Sequence, residues 1–157
     1  MKPNIGIDDK NREEVIKILT VLLADEYVLY TKVRNYHWNV VGPQFNDLHK
    51  FFESLYEELN EYIDEIAERI RALGGKTTAT LTEFLKITRI KEHPGEFPEP
   101  KKMIENLLSD YETIIRNIRE DIVNVGDKFK DLGTADFLTE LMVKHEKTAW
   151  MLRSLLS

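Results

Sequence analysis

The sequence predicts an all-α fold: a four-helix bundle with a short extra helix in the long crossover between its second and third helices. Three observations carry this. Four long segments repeat apolar residues at helical spacing, strand signals are almost absent, and glycine- or proline-bearing turns punctuate the segments. At 157 residues the chain is sized for a single domain, residues 1–157, with core enough to fold without covalent staples.

The first segment follows Asp8, Asp9 and Asn11, all competent caps, and repeats Val15, Leu19, Leu22, Leu29, Val33 and Tyr36. Gly42-Pro43 should break it just after Asn39. The second runs from Gln44 to Leu73 and stops at Gly74-Gly75, a strong C-terminal signal. The third opens at Pro100, suited to a first turn, and carries a stripe from Ile104 to Ile122. The fourth should open with Thr134 as cap and continue through Leu138, Leu141, Met142, Ala149 and Leu152. Residues 74–98 are too long for a structureless loop in a compact domain, so a short helix through TEFLKI, capped by Thr82, is expected there. A long second-to-third crossover with short links elsewhere is ferritin-like connectivity.

Composition narrows the function. Apolar residues make up 42% and charged residues 32%, the balance of a soluble globular chain. There is no cysteine, which excludes disulfides and thiolate metal sites. No apolar run approaches the roughly 18 residues of a membrane span, and Met1 to Glu14 has no signal-peptide core, so a cytoplasmic address is expected. A net charge of −6 argues against a chain-wide basic footprint for nucleic acid and suits a protein that gathers cations.

The second helix carries the chemistry. On a wheel of about 100° per residue, His49, Glu53, Glu57, Glu61 and Glu68 fall within about 60° of Asp64. Phe52, Leu55, Leu59, Tyr62, Ile63, Ile66 and Ile70 fall opposite. Between Phe51 and Glu68 stand seven acidic residues and no Lys or Arg. Like charges this dense repel, and a bound cation is the simplest compensation, although a solvated acidic face would show the same pattern. Asp64 and Glu68, one turn apart, can grip one ion. His37 ends the first helix and His49 opens the second, so a tight turn puts both imidazoles at one end of the bundle. Imidazole with carboxylate suits iron, zinc or manganese better than magnesium or calcium.

His49 and Asp64 are fifteen positions apart, roughly 22 Å along a helix at ~1.5 Å per residue. Metal–ligand bonds are about 2.0–2.2 Å, so one ion cannot touch both in one chain. Either two half-sites exist, or two antiparallel copies complete each other, His end to acid end, across a two-fold axis. The dimer is the reading adopted.

The run HWNVVGPQFNDLH, then Phe52 and IDEIAERI, resembles the signature of the Dps family, the DNA-binding proteins from starved cells or mini-ferritins. The likeness extends over nearly the whole chain, including Gly74-Gly75 and the TLTEFL segment. It implies a hollow dodecamer with ferroxidase sites at its two-fold interfaces, where iron is oxidised from Fe(II) to Fe(III), with hydrogen peroxide as preferred oxidant. Under it, His37, His49, Asp64 and Glu68 match ligand positions, Glu53 matches a supporting acid, and Trp38 matches an aromatic beside the metal. One ion would be held firmly and a second weakly. Glu57 and Glu61 would nucleate mineral, and Asp127 and Asp131 would line an acidic entry pore. Twelve chains would carry a formal charge of about −72, a field that draws Fe(II) inward.

Two other functions fit parts of the pattern. A DNA-compacting protein would act by binding alone, but Lys2, Lys10 and Arg12 are set against Asp8, Asp9, Glu13 and Glu14, so no basic tail is evident. A bundle holding zinc would use the same ligands. Elsewhere, His93 reads as a solvated loop side chain, His145 as a surface histidine beside Glu146, Trp150 as core, and Tyr27, Tyr30, Tyr56 and Tyr62 as bundle packing. Trp38 reads equally as packing or as an interceptor of radicals.

Overall fold

The computed structural model describes residues 2–157. Helices α1 (Asp9–Asn39), α2 (Phe45–Ala72), α3 (Leu81–Ile87), α4 (Pro100–Val123) and α5 (Leu132–Ser154) are joined without a strand among the described residues. A π-helical turn, Asn124–Lys128, links α4 to the α4–α5 connection. No helix among the described residues is long and apolar enough to cross a membrane.

Cross-helix pairs fix the topology. His37 meets His49 and Tyr30 meets Tyr56, so α1 and α2 run antiparallel. Lys32 meets Asp110 and Tyr36 meets Asn106, which sets α1 antiparallel to α4. Arg119–Glu146 and Arg153–Glu112 make α4 and α5 antiparallel. Helices α2 and α4 are therefore parallel, and a chain can join them only by a crossover the length of the bundle.

That crossover is anchored to α1 by Asp25, which is wholly buried. Its carboxylate accepts from the Thr88 hydroxyl at 2.9 Å, the Arg89 backbone N–H at 2.6 Å and Arg89 Nε at 2.7 Å. Phe84 of α3 stacks on Tyr27 at 4.7 Å. The α2 terminus closes as a Schellman turn: Gly75 N–H donates to the Ile70 carbonyl and Gly74 N–H to that of Arg71. Gly74 takes φ +89°, and a side chain there would strike Pro3.

The apolar stripes of α1, α2, α4 and α5 meet in one core, from Val15 and Leu19 through Phe52, Ile66 and Tyr111 to Leu152. Several expectations are corrected. Asp8 alone caps α1, accepting from Asn11 N–H. The cap of α3 is Thr80, not Thr82, and that of α5 is Asp131, not Thr134. Thr134 instead sits in the first turn, buried, where its N–H and hydroxyl both donate to Asp131 and its Oγ accepts from Arg69 Nε. Asp131 is 2% exposed and ion-paired to Arg69, so it lines no pore; Asp127 stays exposed. Trp150 is not core but 60% exposed, one position off the stripe held by Ala149. His145 is not a surface residue. It is wholly buried, and Glu146 pairs with Arg119 rather than with it.

Candidate metal centre

His37 lies in the last turn of α1 and His49 in the first turns of α2. Their rings stack at 3.8 Å with planes 16° apart. Each Nδ1 donates to the other residue's backbone carbonyl, His37 to His49 O at 2.7 Å and His49 to His37 O at 2.8 Å. These reciprocal bonds place the proton of each neutral imidazole on Nδ1 and leave the lone pair on Nε2. That is the arrangement a metal-ligating histidine needs, with its second nitrogen held by a carbonyl. Phe45 stacks on His49 at 5.0 Å, and the Tyr56 ring stands edge-on to His37 at 5.1 Å.

Glu53 lies one turn beyond His49 and accepts a hydrogen bond from the Tyr56 hydroxyl at 3.4 Å. Partial desolvation, then the charge of Glu53, raises the Tyr56 hydroxyl above the ordinary tyrosine range. The Arg34 guanidinium rests over Tyr56 at 4.3 Å, Trp38 at 5.1 Å and Tyr30 at 5.7 Å, a cation enclosed by aromatic faces.

Asp64 and Glu68 are exposed on the far half of α2. The fold thus brings together His37, His49 and, through Tyr56, Glu53. It leaves Asp64 and Glu68 apart from them, and among the described residues no three His, Asp or Glu side chains of one chain converge to hold an ion. Exposed Trp38, Val41 and Phe45 flank the histidine end. Arg34 was not singled out in the sequence and Tyr56 was read only as bundle packing, because their mutual contact runs between helices; the local signals were the one-turn spacing of Tyr30, Arg34 and Trp38 and Tyr56 three positions after Glu53.

A second polar cluster, also unforeseen, sits at the bundle centre. Glu26 and His145 are both wholly buried, and Nε2 of His145 lies 2.6 Å from Glu26 Oε1. The rings of Tyr62 and Tyr111 stand edge-on to the imidazole at 5.5 and 5.2 Å, so each of the four long helices supplies one residue.

A model of the ferritin-like domain matches residues 16–157. The chain is 51% identical over 151 residues to an uncharacterized low temperature-induced protein of Nostoc sp., covering 96% of this chain and 84% of that one. It is 43% identical over 146 residues to DNA protection during starvation protein 2 of Bacillus anthracis, covering 92% and 98%. The crystal structure of a Dps protein from Vibrio cholerae, described as one of a broad superfamily of ferritin-like diiron-carboxylate proteins, superposes with a TM-score of 0.92. That pair is 31% identical and covers 99% of this chain and 97% of the other.

Proposed function

Since the chain belongs to the ferritin-like family, among its Dps mini-ferritins, we propose that it oxidises Fe(II) with hydrogen peroxide at sites shared between two subunits and stores the Fe(III) as mineral in a hollow shell of twelve. The observation that carries this reading is the reciprocal lock of His37 and His49, which holds two Nε2 lone pairs at one end of α2 while Asp64 and Glu68 stand at the other. Two antiparallel copies of that helix would bring the imidazoles of one subunit to the carboxylates of its mate. Covering exposed Trp38, Val41 and Phe45 would add apolar burial to the same contact.

A pair of Fe(II) ions supplies peroxide with both electrons it needs, so water forms and no hydroxyl radical is released. Glu53 supports the site beside His49, and Glu57 and Glu61 offer carboxylates on which ferric ion can begin to hydrolyse. DNA is protected by removing peroxide and iron together. Direct DNA binding is not favoured, because Lys2 and Arg12 are committed to Asp9 and Lys17 to Glu14. Zinc fits the same nitrogen and oxygen ligands and would compete with iron for them.

The test adds Fe(II) and peroxide to the metal-free assembled protein. A pair of Fe(II) should be consumed for each peroxide, with spin-trapped hydroxyl radical suppressed, and the His37→Ala/His49→Ala variant should oxidise slowly while keeping its assembled mass. A double variant that oxidises at the parent rate refutes the site.

A further inference from the structure

On α2, Glu53 follows His49 by four positions and Tyr56 follows it by seven, so the three share one helix face, within about 60° of one another. Tyr56 is fixed from α1 on three sides. Its ring meets His37 edge-on at 5.1 Å and Tyr30 edge-on at 6.2 Å, and the Arg34 guanidinium lies over it at 4.3 Å. A ring packed in this way has little freedom to turn, so its hydroxyl has a set place. The acceptor at that place is Glu53 Oε1, at 3.4 Å.

Two features suit the pair to serving a metal ion. Arg34, the neighbouring cation, lies on aromatic faces and donates to the Tyr30 hydroxyl at 3.3 Å instead of pairing with Glu53. A guanidinium on that carboxylate would compete with a metal ion for it, and a neutral phenol does not. The hydrogen bond also engages Oε1 alone and leaves Oε2 as a ligand. A free glutamate gives up rotamer freedom when it ligates an ion, and a partner that orders it beforehand lowers that cost.

We propose that Tyr56 is the positioning residue for the second iron: its hydroxyl fixes Glu53, and so it sets the affinity of the weaker of the two ions. The inference rests on the shared iron site proposed above, where the imidazoles of one subunit and the carboxylates of its mate hold the first ion. Glu53, beside His49, is the carboxylate that remains for the second. Peroxide takes both its electrons at once only when both ions are present. The affinity of the weaker one therefore sets the iron concentration at which paired oxidation begins. A separation of 3.4 Å is long for two oxygens, and it leaves room to shorten as an ion draws the carboxylate into place.

The experiment titrates Co(II) into the assembled, metal-free, full-length protein and follows its visible absorption, a probe that takes the same ligands. The parent should fill in two steps per site, and the His37→Ala/His49→Ala variant should lose them. Tyr56→Phe keeps the ring against His37 and Arg34 and removes only the hydroxyl. It should leave the first step nearly unchanged and weaken the second about tenfold, the size of losing an outer partner of a ligand. Glu53→Gln should weaken the same step, and Tyr56→Phe/Glu53→Gln should be no weaker than Glu53→Gln alone. The Fe(II) needed for half-maximal oxidation by peroxide should rise in parallel, and added iron should recover the rate. A parent-like second step in Tyr56→Phe, both steps weakened alike, or losses that add in the double variant overturn the inference. So does a parent that takes one Co(II) per site, which leaves the shared site standing. A parent whose Co(II) binding survives the loss of both histidines refutes the shared site and the inference together.

Discussion

Each imidazole of the stacked pair, His37 and His49, is oriented by the other residue's main chain, so neither ligand is positioned independently. Removing the His49 ring takes away the donor to His37 O and one face of the His37 stack; removing His37 does the converse. Alanine at either position should therefore weaken Zn(II) or Fe(II) binding almost as much as alanine at both. Calorimetric titration of the two single variants and the double should give an interaction energy of about 1 kcal/mol or more. Losses that simply add would mean that the reciprocal bonds do not position the ligands.

Completion across a two-fold axis makes a prediction about mixed assemblies. Chains carrying His37→Ala/His49→Ala lack one half of each site, and chains carrying Asp64→Ala/Glu68→Ala lack the other. A mixed dimer contains one site with every ligand and one with none. Random co-assembly from denatured chains should therefore restore iron oxidation to about a quarter of the parent level, although either variant alone oxidises only slowly. Two independent half-sites within each chain would give no recovery on mixing.

What the sequence disclosed follows the range of each signal. Helix positions were legible because the 3.6-residue repeat of Val15, Leu19, Leu22 and Leu29, or of Phe52, Leu55, Leu59 and Ile66, is a local property that burial enforces. Caps were displaced by two or three residues because Thr80, Thr82, Asp131 and Thr134 can all cap; Asp131 is selected through Arg69, sixty-two positions away in sequence. His145 was misread from its charged neighbours Lys144 and Glu146. Its place on the stripe Leu138, Leu141, Met142, His145, Ala149, Leu152 had marked it as buried, as the stripe Leu22, Glu26, Leu29 had marked Glu26. The pairing of His37 with His49 was foreseeable from a tight turn between antiparallel helices. Their reciprocal hydrogen bonds, and the contact of Tyr56 with Arg34, depend on how two helices rotate against each other, which no single-helix pattern records.

Asp121 should give stability a pH dependence of defined sign. Burial, opposed by Arg89 and reinforced by Glu120 and Asp25, raises its carboxyl above the usual carboxylate range, and its Oδ2 is buried without a partner. The folded chain then keeps this proton to a higher pH than the unfolded chain does. Its contribution is fully present below the ordinary Asp range and is lost as pH rises through the raised value. Asp121→Asn removes the ionisation. The variant should match the parent in acid and exceed it at neutral pH, measured as the denaturant midpoint at fixed protein concentration. A gap that widens toward acid would reverse the assignment.

Glu26 and His145 supply the last prediction. The pair is wholly buried, bonded at 2.6 Å, and leaves Glu26 Oε2 and His145 Nδ1 without partners. Taking away one member strands the other in an apolar core, so Glu26→Ala and His145→Ala should each cost about 3–5 kcal/mol. Replacing both with apolar residues of similar volume, Glu26→Met with His145→Leu, removes the stranded group and keeps the core filled. That double variant should be more stable than either single one and close to the parent, because burying two polar groups costs about as much as their mutual attraction returns. Unfolding is read at one subunit concentration, since assembly contributes to apparent stability. Single variants that unfold at the parent midpoint would show that the two side chains are solvated rather than enclosed among the four helices.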